Sequence, residues 1–404
     1  MATSRKGLVM QKLHSIKVRL IAMALGGPII LGISVIVLLV LNERALLNNM
    51  AQTLRQEMQT NLTLINQGIY DMVNTQDQLL RIKLRGDLAV ARDQLAAAGG
   101  AMLAEESVSW DAVNQYTQEK RSVRLPRMMV GERWLGQNYS TAVSTPVVDA
   151  TRVLVGGTCT IFQRMNAAGD MLRVATNVET LDGNRAIGTY IPAMGADGAP
   201  NQIVSSVLNG ERYIGRAFVV NAWYVTAYEP ITDTAGEVIG MLYVGILQES
   251  VEDLHQAILN TKVGETGYVF VLGGSGDLKH HTIVHGPLGP GVDLTETRDT
   301  DGNLFIQEMV ALALETSNGA SALMEYMWQD SGDPTPRMKQ AALTYYEPWD
   351  WVIGASAYEE EFQEGLTLIS ATLRQAMLIG MGVTCAVLLF VGVIGFLLSS
   401  KIAG

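Results

Sequence analysis

The stretch AWYVTAYEPITDTAGEVIGMLYVG (222–245) is answered further along the chain by AALTYYEPWDWVIGASAY (341–358), with Tyr-Glu-Pro and Val-Ile-Gly in both. Upstream of each, TCTIFQRMNAAGDMLR (158–173) is matched by GYVFVLGGSGDLKHH (267–281), and both read as a strand, a turn ending in Gly-Asp and a return strand. Gly169 to Gly276 is 107 residues and Tyr228 to Tyr346 is 118, the length of a small domain. Two modules built alike are therefore expected, at 99–246 and 262–358. LQESVEDLHQAILNT (247–261) has the apolar spacing of a helix connecting them.

Working outward, residues 42–98 lack proline from Glu43 onward and place apolar residues at Leu46, Met50, Leu54, Met58, Leu62, Ile65, Ile69, Met72, Leu80, Leu84 and Leu88. Steps of three and four predict one long amphipathic helix. Its stripe needs a cover, either the chain's own strands or the same helix of a second copy, and a homodimer through this helix is the expectation. On the other side, residues 359–375 have helical spacing and run into the apolar stretch 376–398. A movement of the second module would then reach that stretch directly.

Ala376 to Leu398 and Leu20 to Leu41 contain no Asp, Glu, Lys, Arg or His. At about 1.5 Å per residue each is roughly 33 Å long as a helix, enough to cross a bilayer core. Residues 1–19 carry Arg5, Lys6, Lys12, Lys17 and Arg19 and no acid, which keeps them cytoplasmic, as are 399–404. The first apolar run is too long for a signal peptide, and Asn42-Glu43-Arg44 offers no cleavage pattern. The chain reads as two-pass in the inner membrane, with its soluble region in the periplasm or outside.

The soluble region holds all 40 acidic residues against 23 of the 29 basic ones, a net charge of −17. That argues against nucleic acid. Cys159 is in the soluble region and Cys385 in the second apolar stretch, so they cannot pair within one chain, and there is no haem or zinc spacing.

The stretches VGGTCTIFQ (155–163), MLRVATNV (171–178), NRAIGTYIP (184–192), YIGRAFVVNAWYVTAYEPI (213–231) and VIGMLYVGI (238–246), with GETGYVFVL (264–272), DTDGNLF (299–305) and YYEPWDWVIGASAY (345–358), resemble the tandem Cache 3/Cache 2 sensor of bacterial methyl-accepting chemotaxis proteins. The resemblance implies an α+β fold: two PAS-like modules with central antiparallel sheets on a long N-terminal helix that also forms the dimer contact, flanked by two transmembrane helices. It implies extracytoplasmic sensing of a small molecule and transmembrane signalling as a chemoreceptor input. The alternatives are the input of a sensor kinase or cyclase, or a partner-binding membrane protein. Such receptors continue into a cytoplasmic relay and coiled coil, through which contact with a chemotaxis signalling complex would run, whereas this sequence stops at Gly404.

The resemblance places the ligand in the first, membrane-distal module. The run from Arg216 to Tyr228 has Arg216, Phe218, Tyr224, Thr226 and Tyr228 at even positions, which alternation puts on one face of an extended strand. Arg173, Asn177, Arg185, Arg216, Tyr224 and Tyr228 are the candidate ligand-binding residues, mixing aromatic walls with guanidinium forks that suit a carboxylate or the acid group of an amino acid. Citrate- or succinate-sensing relatives carry an arginine before Thr-Pro where this chain has Thr-Ala-Tyr-Glu-Pro (226–230), so a dicarboxylate does not carry over. Tyr268, His285, Tyr326, Lys339 and Tyr345 are candidates for an equivalent pocket in the second module. Trp349 and Trp351 read as core.

No metal or other cofactor is expected. In an extended strand His281 and His285 are about 13 Å apart, too far to share an ion. Asp299 to Asn303 lacks the closing Glu of a calcium loop and reads as a turn capping the next helix. GGSGDLK (273–279) lacks the Gly-Lys-Ser/Thr ending of a phosphate loop, and no nucleophile elbow occurs. An enzyme is not expected.

Overall fold

A computed structural model describes the backbone of residues 2–195, 198–248, 251–330 and 334–402, and their side chains from residue 26 onward except 28, 363–368, 395–396 and 398–402. The chain opens on helix α1 (Ala2–Ala97). Next come strands β1 (Ala101–Asn114), β2 (Lys120–Val130) and β3 (Arg133–Trp134), helix α2 (Val148–Val155), β4 (Thr158–Arg164), β5 (Met171–Thr176) and β6 (Thr189–Ile191). Helix α3 (Gln202–Leu208), β7 (Tyr213–Val219), β8 (Ala222–Thr232) and β9 (Val238–Leu247) complete the first module. Helix α4 (Glu252–Asn260) leads to β10 (Lys262–Val263), β11 (Gly267–Gly273), β12 (Thr282–Val284), α5 (Phe305–Leu314), β13 (Ala322–Trp328), β14 (Arg337–Tyr346) and β15 (Trp351–Tyr358). β15 passes without a loop into α6 (Glu359–Ile402).

The strands form two sheets. The first has the order β3-β2-β1-β6-β5-β4-β9-β8-β7 and the second β10-β11-β15-β14-β13, with β12 on β11. Pairing is antiparallel except for the short parallel contact of β1 with β6, so the fold class is α+β with essentially antiparallel sheets. A similarity between the sheets shows in the topology: β8-β9 and β14-β15 are both long antiparallel hairpins, with Tyr-Glu-Pro inside the first strand of one and at the end of the first strand of the other.

α1 is the shared backing of both sheets. Its buried positions Met58, Leu62, Asn66, Ile69, Val73, Asp77, Leu80, Leu84, Leu88, Ala91 and Leu95 recur every three or four residues, one continuous stripe as the helical period requires. They join a core with Ile161, Val225 and Leu242 of the first sheet and Val269, Ile353 and Trp351 of the second. The stripe is thus covered by this chain's own modules. Of the two covers expected, the structure shows the chain's own strands, and it takes both modules because the two sheets lie one after the other along the helix. The opposite sheet faces carry separate apolar clusters, one with α3 and one with α5.

Three buried polar residues, Asn66, Asp77 and Asp87, interrupt the apolar face of the helix. Asp77 accepts from Trp349 Nε1 (2.8 Å), Tyr346 Oη (3.2 Å) and Arg81 Nε (2.6 Å). Arg81 also donates to the Ile214 carbonyl at 3.0 Å, so this pair ties the first module to the turn before β15. Such a carboxylate is tolerated inside because its acceptor sites are filled.

Three local expectations change. β9 extends through Leu247 and the connecting helix is only Glu252–Asn260, while residues 249–250 of the expected 247–261 helix lie outside the described residues. His280 and His281 are not in a strand, since His280 has φ 66° and β12 begins at Thr282. Asp299 turns its own loop, accepting from the Asp301 and Asn303 amides (3.0 and 2.8 Å), while α5 starts after Leu304 without a side-chain cap.

Two helices among the described residues are long and apolar enough to cross a membrane, including Ile29 onward in α1 and Ile369–Ile394 in α6. Their apolar side chains, such as Ile30, Leu38, Leu389 and Phe390, are exposed, as lipid-facing residues are.

Candidate functional site

Arg173 stands on β5 opposite Phe162 of β4 and is fully buried. Its guanidinium lies over the Phe162 ring, Cζ 4.9 Å from the centroid, and Nη1 donates to Thr189 Oγ1. Nε and Nη2 have no hydrogen-bond partner among the described residues. Burial pulls the arginine pKa down from its ordinary value, with the nearby tyrosines Tyr228, Tyr243, Tyr116 and Tyr224 opposing. An arginine nevertheless stays charged in a protein, and a buried charge without counter-ion costs several kcal/mol. A cation–π contact returns only about 2 kcal/mol. The Arg173 charge is therefore left uncompensated by any acidic side chain among the described residues.

The walls are aromatic. Tyr228 of β8 and Tyr243 of β9 are directly paired, with ring centroids 5.0 Å apart, and both are 6.4 Å from Phe162. Tyr243 Oη and Thr158 Oγ1 are 3.0 Å apart, and burial pushes the Tyr243 and Tyr228 hydroxyls above the usual tyrosine pKa, so both are neutral. The same face closes with Tyr224 and with Tyr213, 6.1 Å from Tyr228.

Of the six candidates expected in this module, Arg173, Tyr224 and Tyr228 come together and three do not. Arg185 has every N–H engaged: Nη1 and Nη2 grip Asp149 (2.9 and 2.7 Å), and the Ser140, Thr176 and Val143 carbonyls take the rest (2.9, 2.8 and 3.0 Å). Burial pushes the Asp149 pKa up, but Arg185 and the Thr145 amide outweigh it and hold it below the usual range. Asn177 staples β4 to α2, accepting from the Cys159 amide and donating to the Val148 carbonyl, both at 2.7 Å.

Arg216 faces the other way. The Val220-Asn221 turn, with φ 61° at Val220, splits the expected single strand into β7 and β8, so parity does not carry across it. Arg216 pairs with Val225, while Tyr224 pairs with Ala217, and directly opposed residues share a face. Arg216 is therefore on the face opposite Tyr224 and Tyr228.

In the second module Lys339 of β14 is fully buried beneath two rings, Nζ lying 3.9 Å from the Tyr268 centroid and 4.4 Å from that of Tyr358. Unlike Arg173 it has a counter-ion in the chain, since Asp330 accepts from Lys339 Nζ (3.2 Å), Tyr358 Oη (2.7 Å), Trp328 Nε1 (2.8 Å) and Tyr268 Oη (3.2 Å). Burial acts against the Asp330 charge, but these donors and Lys339 hold its pKa below the usual range. His285 packs on Tyr268 at 5.2 Å, and its pKa falls to about 4, through burial first and the Lys339 charge second. Tyr326 stacks on Phe305 at 5.2 Å. The space between these rings is about 20 Å³, room for about one water. Tyr345 is elsewhere, donating to Asp350 Oδ1 at 2.9 Å at the module boundary.

The profile of the Cache 3/Cache 2 fusion domain matches residues 47–372, most of the chain. The chain belongs to the Cache 3/Cache 2 fusion family. A Cache relative in Pseudomonas putida, the methyl-accepting chemotaxis protein McpP, is 33% identical over 118 residues, which are 28% of this chain and 20% of that protein. The chain thus spans about a fifth of its length. Two solved Cache sensors are similar at a distance. The sensor of the Campylobacter jejuni chemoreceptor Tlp3, determined with L-valine, is 12% identical over 78% of this chain and 98% of its own, with a TM-score of 0.39. A Cache chemosensory domain described for carboxylic acid recognition is 21% identical over 28% of this chain and 72% of its own, with a TM-score of 0.24.

For this Cache 3/Cache 2 chain, reading the sequence missed Phe162, Tyr243, Thr189 and Tyr213 as neighbours of the buried arginine. A signal was present in Tyr213-Ile-Gly215 and Tyr243-Val-Gly245. A Cβ built at Gly245 falls 2.1 Å from Tyr243 Oη and one at Gly215 falls 2.7 Å from Tyr213 Oη. Aromatic-x-Gly in a strand marks a ring lying flat over the glycine two residues on, here with its hydroxyl reaching across the sheet face.

Proposed function

We propose that this chain is the extracytoplasmic input of a chemoreceptor in the inner membrane, and that its membrane-distal module, residues 99–246, takes a small organic anion at Arg173. The observation that carries this reading is the fully buried guanidinium, two of whose nitrogens have no partner among the described residues, packed among aromatic rings. The soluble region's charge of −17 repels anions at long range, so an anionic ligand needs a shielded local cation to outweigh that field. No catalytic role is assigned.

Binding favours one of two packings of the modules only to the extent that the ligand prefers one of them. Continuity of β15 with α6 supports the route outward: a shift of the membrane-proximal module, residues 262–358, moves the second spanning helix against α1. We further propose a homodimer through the solvent side of α1, where Leu64, Leu79 and Ile82 are exposed.

The test is calorimetry of the full chain in nanodiscs against a panel of small carboxylates and amino acids, comparing wild type, Arg173→Gln and Lys339→Gln. The ligand that the screen finds is expected to lose roughly 30-fold to several thousand-fold in affinity with Arg173→Gln, the ~2–5 kcal/mol of a desolvated charge pair. Normal binding by Arg173→Gln with loss in Lys339→Gln would move the sensing site to the second module, with a ligand carboxylate in place of Asp330.

A further inference from the structure

Between the two modules lies a cleft of about 630 Å³ that is lined by neither Arg173 nor the rings around it. Trp223, Leu259, Ile283 and Pro290 form apolar walls, and Arg216 and Gln248 bring polar groups to it. A mostly apolar cleft of several hundred Å³ at a module boundary, with a few convergent polar groups, is the usual form of a small-molecule site.

Arg216 is the group that gives this cleft its chemistry. Its Cζ sits 3.7 Å from the Trp223 ring centroid and its Nε donates to Gln248 Oε1 at 3.1 Å. Its ionic partner is Asp350 of the other module, yet Nη1 is 3.6 Å from Asp350 Oδ2, beyond hydrogen-bond length. Asp350 has closer partners of its own: Oδ2 accepts from Ser275 N and Oγ (3.1 and 3.0 Å), and Oδ1 from Tyr345 Oη (2.9 Å). Losing Arg216 would leave Asp350 hydrogen-bonded, whereas Arg216 would gain by a fork-to-fork pair with a carboxylate. Glu252 also lines the cleft, but its Oε1 accepts from Gln256 Nε2 at 2.7 Å. It would repel a second negative charge, which favours a ligand with one.

We infer that this inter-module cleft is a second ligand site, for a small aromatic monocarboxylate whose acid group takes Arg216 from Asp350 and whose ring lies along Trp223 and Leu259. Asp350 occupies the tight turn, φ 56°, immediately before β15. Occupancy would therefore release the ionic tie between the distal module and the strand that leads into α6, independently of Arg173.

The experiment uses the full chain in nanodiscs with indole-3-acetate as the probe and its neutral isostere indole-3-acetamide as the control, both by calorimetry. Wild type is expected to bind the acid at least tenfold more tightly than the amide. Arg216→Gln should weaken the acid at least tenfold, and Asp350→Asn, which removes the competing carboxylate, should strengthen it severalfold, a gain that misfolding cannot produce. Gly286→Leu, at a cleft position where an added Cβ meets nothing within 4 Å, should weaken binding by filling space. Arg173→Gln should leave it unchanged, which separates this site from the one proposed at Arg173. The inference is overturned if neither wild type nor Asp350→Asn binds the acid, if acid and amide bind equally, or if the acid survives Arg216→Gln or is lost with Arg173→Gln.

Discussion

Arg173, Arg185 and Arg216 are chemically identical, and their surroundings give them three different jobs. Arg173 is buried without an acidic partner among the described residues, Arg185 is saturated by Asp149 and three carbonyls, and Arg216 spans the module boundary. Arg185→Met should consequently act on stability rather than on binding: it strands Asp149 and several carbonyls, and the loss of one partner of a buried pair costs ~3–5 kcal/mol. A clearly lowered unfolding temperature is expected, and a variant melting with wild type would refute the structural role. His285 offers a pH test. Its folded pKa, about 4, lies below its ordinary 6.5, so the unfolded chain takes up the proton first. The contribution is complete above pH 6.5 and drains away as pH falls towards 4, in total ~3 kcal/mol for this buried ring. Thermal melts from pH 7 to 4.5 should fall more steeply for wild type than for His285→Gln, and parallel curves would remove His285 from the acid response. The arginines and tyrosines of the first module were visible in the sequence as residue types. Which guanidinium lacks a partner was not, because Asp149 reaches Arg185 from a different element, 36 residues away.

The elements were the most legible part, and α1 shows both the reach and the limit of periodicity. Its apolar stripe is plain from spacing, yet the stripe faces the sheets, not a second copy. Met58 and Leu84 are fully buried within one chain, whereas Leu64 and Ile82, 18 residues and about five turns apart, are exposed on the solvent side. In a background without the two native cysteines, cysteine at Leu64 or Ile82 is therefore expected to crosslink copies of the chain in membranes, and cysteine at Met58 or Leu84 is not. Efficient crosslinking at Met58 or Leu84 with none at the exposed pair would disprove this dimer face. The stripe also sets stability. Leu84→Ala opens a cavity between α1 and its sheet and should cost ~2–5 kcal/mol, read as an earlier melt with ligand affinity retained. At β7-β8 the alternation rule failed for a stated reason: a two-residue turn at Val220-Asn221 reversed the face on which Arg216 falls.

For the whole molecule, the central prediction concerns how the modules reach the membrane. The turn from Glu347 to Asp350 is held by α1 through Asp77 and Trp349 and by the distal module through Arg216, and it feeds β15 and then α6 without a loop. Inserting Gly-Gly after Tyr358 should preserve ligand affinity while abolishing ligand-dependent displacement of α6 against α1, measured by distances between spin labels at Leu39 and Gly380. Displacement that persists would show that the signal bypasses the β15-α6 junction. Composition and order along the chain were enough to determine the apolar spans, the two similar modules, their α+β character and their place between two long helices. Those properties depend on periodicity and repetition among neighbouring residues, which a linear reading can follow. The cover of the α1 stripe, the face of Arg216, the unpaired state of Arg173 and the cleft between modules were decided only by tertiary structure. Each is a relation between distant residues, as with Asp77 and Trp349, 272 positions apart, and burial or a missing counter-ion exists only once packing has brought such residues together.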